Sequence, residues 1–234
     1  MTAILIFLAA ILAIVGWWLS RQRLMSKPWL EAGPVTAFPE TEAPDTHPAK
    51  IGLGVFIAVV SALFALLIGA YLMRMAYADW QAPPMPRLLW LNTGTLILAS
   101  FAMQCAVVAA HRGELDNLRL ALLTAGLTSI AFLAGQLLAW QDLAAQGYFV
   151  TENAAVTFFY LLTAMHGLHV IGGLVALGRT NIRAWQSEGT AGLVLSTELC
   201  AAYWHALLVI WLILFAVLMG WASNFIDICH RLLS

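Results

Sequence analysis

Long apolar runs separated by short polar ones dominate the pattern of this chain. Six runs, at about 2–19, 51–73, 89–110, 118–140, 154–178 and 197–221, are long and apolar enough to cross a bilayer as helices; a span needs roughly 20 such residues. The pattern predicts an all-α integral membrane protein with six transmembrane helices. The loops between the last five runs are short, so those helices should pack as one antiparallel bundle. One longer connection stands apart, "PWLEAGPVTAFPETEAPDTHPA" at 28–49. Its prolines, acids and lack of periodicity predict an irregular linker. The expected organisation is an N-terminal anchor helix over 1–20, a proline-rich linker over 21–50, a five-helix bundle over 51–223 and a tail over 224–234. The first run lacks the basic start and small-residue cleavage site of a signal peptide, and Trp17 and Trp18 suit a membrane interface.

Composition agrees. The chain is 62% hydrophobic and 10% charged, where a soluble domain carries about a quarter charged residues. The net charge of -1 says nothing about nucleic acid, but no basic patch is present to neutralise phosphates, so no nucleic-acid partner is expected. Cys105, Cys200 and Cys229 lie far apart, which gives neither a zinc motif nor a disulfide framework.

The cations set an orientation. Arg21, Arg23, Lys27, Lys50, Arg112, Arg119, Arg179 and Arg183 make eight on one side, against Arg74, Arg87 and Arg231, three on the other. The positive-inside rule places the eight in the cytoplasm and both termini outside, in the periplasm of a Gram-negative cell.

Ionisable groups inside a span are expensive and mark candidate sites. Those deep in the apolar runs are His166, His169, Glu198 and His205; Gln104 and Gln136 are polar but uncharged. His111, Asp142 and Glu152 sit near span ends, where water is close. Thr163, His166, His169 and Gly173 share one face of the fifth span. Glu198 and His205 share one face of the sixth. Both faces are small and polar, as a helix–helix seam would be. The spacing predicts that the fifth and sixth spans meet there, with His205 against the His166/His169 surface. Glu198 lies nearer the inner end, and should bond to a group at that end, to lipid or to a partner subunit.

Other chemistry is weighed on the same residues. A haem held by His205 with His166 or His169 would need them on facing helices at one depth. A carboxylate-bridged di-iron bundle needs several Glu and E-x-x-H motifs, and one mid-span Glu does not supply them. A proton relay needs more than one deep acid.

The stretch "FFYLLTAMHGLHVIGG", followed about 25 residues later by "STELCAAYWHALLVIWLILF", resembles subunit III of the haem–copper oxidases. The matching positions are Phe159, Thr163, His166, Gly167, His169 and Val170, then Glu198, Tyr203, Trp204, His205 and Trp211. "LLWLNTGTLILAS" resembles another family stretch through Leu91, Asn92, Thr93 and Ser100. The resemblance covers about 51–223. It departs at Val60, where relatives often carry Glu, at Leu208, where they often carry Asp, and in having one N-terminal span instead of two or none.

The resemblance implies an accessory subunit of a terminal oxidase in a bacterial plasma membrane. The complex would be a cytochrome c oxidase of aerobic respiration, and the chain would hold no catalytic residue and no metal or cofactor. It would pack on the catalytic subunit I and other subunits, with haem and copper held there, bind phospholipid, and support proton uptake and stable turnover. A respiratory supercomplex is a wider potential partner. Lys27, Trp29, Arg179 and Arg183, at predicted helix ends, are candidate lipid head-group contacts. Two alternatives stand beside it. One is a small b-type cytochrome, which haem absorbance of the isolated chain would reveal. The other is a subunit-III-like accessory protein of a quinol oxidase or nitric oxide reductase, which its co-purifying partners would reveal.

Overall fold

The structure, a computed structural model, describes residues 48–149, 153–190 and 192–220. The predicted first span, the linker up to residue 47, Lys27, Trp29 and the C-terminal tail lie outside these residues. The chain divides into two units after Gly54. Residues 48–54 are the described part of the first, and the packing below concerns residues 55 onward.

The described residues form five helices: α1 Pro48–Arg74, α2 Leu88–Arg112, α3 Leu115–Ala145, α4 Ala154–Gln186 and α5 Val194–Leu218. Each is long and apolar enough to cross a membrane. They occupy the five predicted runs from 51 onward. Four sets of bounds agree within five residues, but α4 continues eight residues past the predicted end at 178. Arg179, Asn181, Arg183 and Gln186 end the apolar run without ending the helix. At about 1.5 Å per residue, α4 is roughly 50 Å long and must leave the hydrocarbon region.

Arg119 helps to fix where α4 stops. Its guanidinium donates to the carbonyls of Ala184 at 3.0 Å and Ser187 at 3.2 Å. It also stacks on the Trp185 ring, 5.1 Å from its centroid. A cation on the last carbonyls of a helix satisfies acceptors that have no partner within the helix and complements its dipole. Arg119 therefore does more than signal topology.

Turns set the antiparallel order. Gly113, at φ 78°, closes α2 in the left-handed conformation, and its N–H and that of Glu114 return to carbonyls of the last turn. Glycine takes that conformation without a Cβ penalty. Two residues then reverse the chain into α3. At the opposite end, Asn153 caps α4, accepting from the Ala155 N–H at 3.0 Å. Its amide donates to the Gln81 carbonyl at 2.9 Å, which ties the α1–α2 connection to the start of α4. In that connection Arg74 grips Asp79 with its two terminal guanidinium nitrogens, and these bonds hold the Asp79 carboxyl below its usual value.

Candidate functional site

The deep polar side chains sort into a closed centre and a ladder. The centre draws one large or polar residue from each helix. His166 of α4 is fully buried among the rings of Phe64 (α1), Phe132 (α3) and Trp211 (α5), at centroid distances of 6.3, 5.5 and 5.0 Å. Trp211 in turn donates to the Thr93 hydroxyl of α2 at 3.0 Å. The Thr93 hydroxyl donates to the Leu89 carbonyl one turn back. His166 places Nε2 3.1 Å from the Leu207 carbonyl of α5. A carbonyl only accepts, so Nε2 carries the hydrogen and Nδ1 is left as an acceptor among rings. An unmet acceptor there costs less than an unmet N–H would.

The α4–α5 contact uses Gly173, the His166 ring and the His169 backbone carbonyl. Gly173 lets the aromatic face of α5 come close: a Cβ there would meet Tyr203 Cε1 at 2.7 Å and two Trp204 ring atoms at 2.9 Å. The Tyr203 hydroxyl donates to the His169 carbonyl at 3.0 Å. The His169 ring turns back on its own helix, donating through Nδ1 to the Met165 carbonyl at 2.7 Å. Thr163 is buried on the α3 side, where its hydroxyl accepts from the Trp140 indole at 3.1 Å and donates to the Phe159 carbonyl.

His205 corrects the sequence expectation. It does not meet His166 and His169; it faces α2. Its Nδ1 lies 2.5 Å from the Ser100 hydroxyl and its Nε2 3.2 Å from the Gln104 carbonyl oxygen. Small, polar residues on two helix faces show that each face packs, but not which faces meet. Glu198 also bonds to α2, its Oε1 2.9 Å from His111 Nε2 at the end carrying the α2–α3 turn. The position of His111 at a span end, cheap to hydrate, conceals this role in the sequence.

Together these bonds form a three-rung ladder between antiparallel helices. Thr93 pairs with Trp211, Ser100 and Gln104 with His205, and His111 with Glu198. The α2 partners Thr93, Ser100 and His111 fall seven and eleven residues apart, on one helix face, as do Glu198 and His205. On α5, Glu198, His205 and Trp211 fall seven and six residues apart, so the pairing rests on the bonds and not on a shared sequence spacing. It also joins two of the quoted motifs, "LNTGTLILAS" and "YWHALLVIW", as the two sides of one interface. Asn92, on the next position of α2, instead reaches Gln136 of α3 at 3.3 Å, across Gly135. A Cβ on Gly135 would sit 2.0 Å from the Asn92 side-chain oxygen.

A haem shared by His205 with His166 or His169 is not prepared by this arrangement. The His205 nitrogens face α2, and the His166 Nε2 faces a backbone carbonyl of α5. Among the described residues, no group of three or more His, Cys, Asp and Glu side chains comes together as a metal site. Arg179 and Arg183 are exposed on the last turns of α4, beyond the apolar run.

Comparison with known proteins agrees with the motifs. The family profile described as cytochrome c oxidase subunit III matches residues 81–223. A probable cytochrome c oxidase subunit 3 of Nocardia farcinica is 33% identical over 179 residues, covering 74% of this chain and 88% of that protein. The protein of the same printed name from Mycobacterium tuberculosis gives the same values. A cytochrome c oxidase subunit 3 of Thermostichus vulcanus is 32% identical over 177 residues, covering 72% of this chain and 85% of that protein.

Proposed function

The chain belongs to the cytochrome c oxidase subunit III family, and from that premise we propose that it stabilises the catalytic subunit of a membrane haem–copper oxidase. It carries no redox chemistry of its own, and haem and copper reside in the partner subunits. It contacts lipid and supports proton uptake during turnover. The observation that carries this reading is where the deep polar side chains point. His166, Thr163, Trp204 and Trp211 bond to neighbouring helices and are closed off from any substrate. Val60 is buried and apolar, so no carboxylate at that position takes part.

The protein is a multi-pass membrane protein. Its place is the bacterial plasma membrane with both termini outside, as the eight-to-three cation bias favours. A reporter fused after Ser234 should be active outside the cytoplasm, and strong cytoplasmic activity would reverse the orientation. Exposed Arg179 and Arg183, with Lys27 and Trp29, are proposed contacts for anionic head groups at the inner interface.

The decisive experiment is purification of the tagged chain in mild detergent, followed by oxygen-consumption assays of complexes with and without it. The full complex should contain the haem-bearing subunits. Complexes lacking the chain should begin at a similar rate and lose activity sooner during turnover. Stoichiometric haem absorbance on the isolated chain would overturn the reading.

A further inference from the structure

Among the described residues, the middle rung of the ladder ends in an unused hydrogen-bond donor on the outside of the bundle. Gln104 offers its carbonyl oxygen to His205, so His205 Nε2 carries the hydrogen and Nδ1 accepts from the Ser100 hydroxyl. The donors therefore run in one direction, from Ser100 through His205 to Gln104. Among the described residues nothing accepts from the Gln104 amide nitrogen, and its side chain is exposed.

Depth makes this informative. Gln104 lies eight residues before the end of α2, about 12 Å along the axis. With the helix centred on a hydrocarbon core of about 30 Å, that is roughly 8 Å inside the nearer boundary. Water and lipid ester groups lie at the boundary, beyond reach of a glutamine from that position. Acyl chains offer no acceptor. An amide N–H left in hydrocarbon is costly, and a chain of three aligned polar groups ending there makes an unpaired end more so.

The surrounding surface suits a helix. Phe101, Cys105 and Val108 of α2 and Ala202 and Val209 of α5 are exposed around Gln104 and His205. They give an apolar border with a small residue that allows close approach. Resting on the membership of an oxidase proposed above, we propose that this α2–α5 face docks a transmembrane helix of another oxidase subunit, which presents a hydrogen-bond acceptor to the Gln104 amide.

A photo-reactive amino acid placed at Phe101, Val108 or Val209 in the full chain, irradiated in native membranes, tests this. Leu127 of α3, also exposed, serves as the control position. The α2 and α5 positions should give adducts to another subunit, mapped to a membrane-spanning peptide carrying a polar side chain. In the same membranes Gln104→Leu should leave accumulation of the chain unchanged. It should lower partner retention in harsher detergent by roughly three- to fifteenfold, the range for one interhelical hydrogen bond in a membrane. Adducts at all three positions to lipid only, or to residues 1–47 of the same chain, would overturn the docking face while leaving oxidase membership intact. A tagged wild-type chain that purifies without oxidase subunits would overturn both.

Discussion

His166 and His205 lie at nearly the same depth in neighbouring helices, yet the bundle treats them in opposite ways. His166 reaches the carbonyl of Leu207, two residues from His205. It is enclosed by rings from three other helices. His205 is half-buried, bonded to one helix, and passes its polarity outward through Gln104. Residue type and depth are shared, so neither decides the role. The number of helices around each ring does. A histidine at a five-helix junction orders the fold. One between two helices at the bundle edge leaves hydrogen-bonding capacity for whatever covers it.

The largest expected effect belongs to the enclosed side. Gly173→Leu would drive a side chain into Tyr203 and Trp204, whose atoms already lie within 3 Å of a bare Cβ. Overpacking of this kind costs about 1–3 kcal/mol and occasionally more. A Cβ on the neighbouring Gly172 would have nothing within 4 Å, so Gly172→Leu should be nearly neutral. Unfolding temperatures of both variants in detergent, compared with the parent, check the pair. Equal effects would mean that the α4–α5 contact is looser than described.

The two histidines themselves come next. His166→Leu removes the bond to the Leu207 carbonyl and part of the contact with Phe64, Phe132 and Trp211. A loss of about 1–3 kcal/mol in stability of the chain is expected. His205→Leu should cost less, about 0.6 kcal/mol. The Ser100 hydroxyl can turn back to its own helix, as those of Thr93 and Thr163 do. Its effect should appear instead in retention of partner subunits. If His205→Leu destabilised the isolated chain as much as His166→Leu, the distinction between centre and edge would fail.

The same distinction explains what the sequence can and cannot disclose. Five helices are legible because uninterrupted apolarity is a strong signal, and α4 is cut short where Arg179 and Arg183 end that signal. Helical spacing puts His166 and Gly173 on one side of α4, and there they meet Leu207, Tyr203 and Trp204 of α5. It points His205 to the wrong neighbour because a polar face does not name its partner. The tight fit of Gly135 against Asn92 rests on a long-range approach that no local pattern encodes.

The outermost rung should respond least. His111 and Glu198 pair at 2.9 Å with side-chain exposures of 54% and 27%, in contrast to the sealed Trp211–Thr93 bond at the other end of the ladder. Water competes for both groups, and exposed pairs of this kind contribute about 0.2–1 kcal/mol. Glu198→Gln removes the charge but keeps a carbonyl oxygen for the His111 N–H, so stability should fall by no more than about 0.5 kcal/mol. The α2–α5 register would still be held by the two inner rungs. Glu198→Leu, which removes the acceptor as well, should fall between Glu198→Gln and His205→Leu. Thermal unfolding of the three variants at low and high salt orders them. A drop for Glu198→Gln as large as that for His166→Leu would show that the carboxylate charge, and not only the hydrogen bond, holds this end of the bundle.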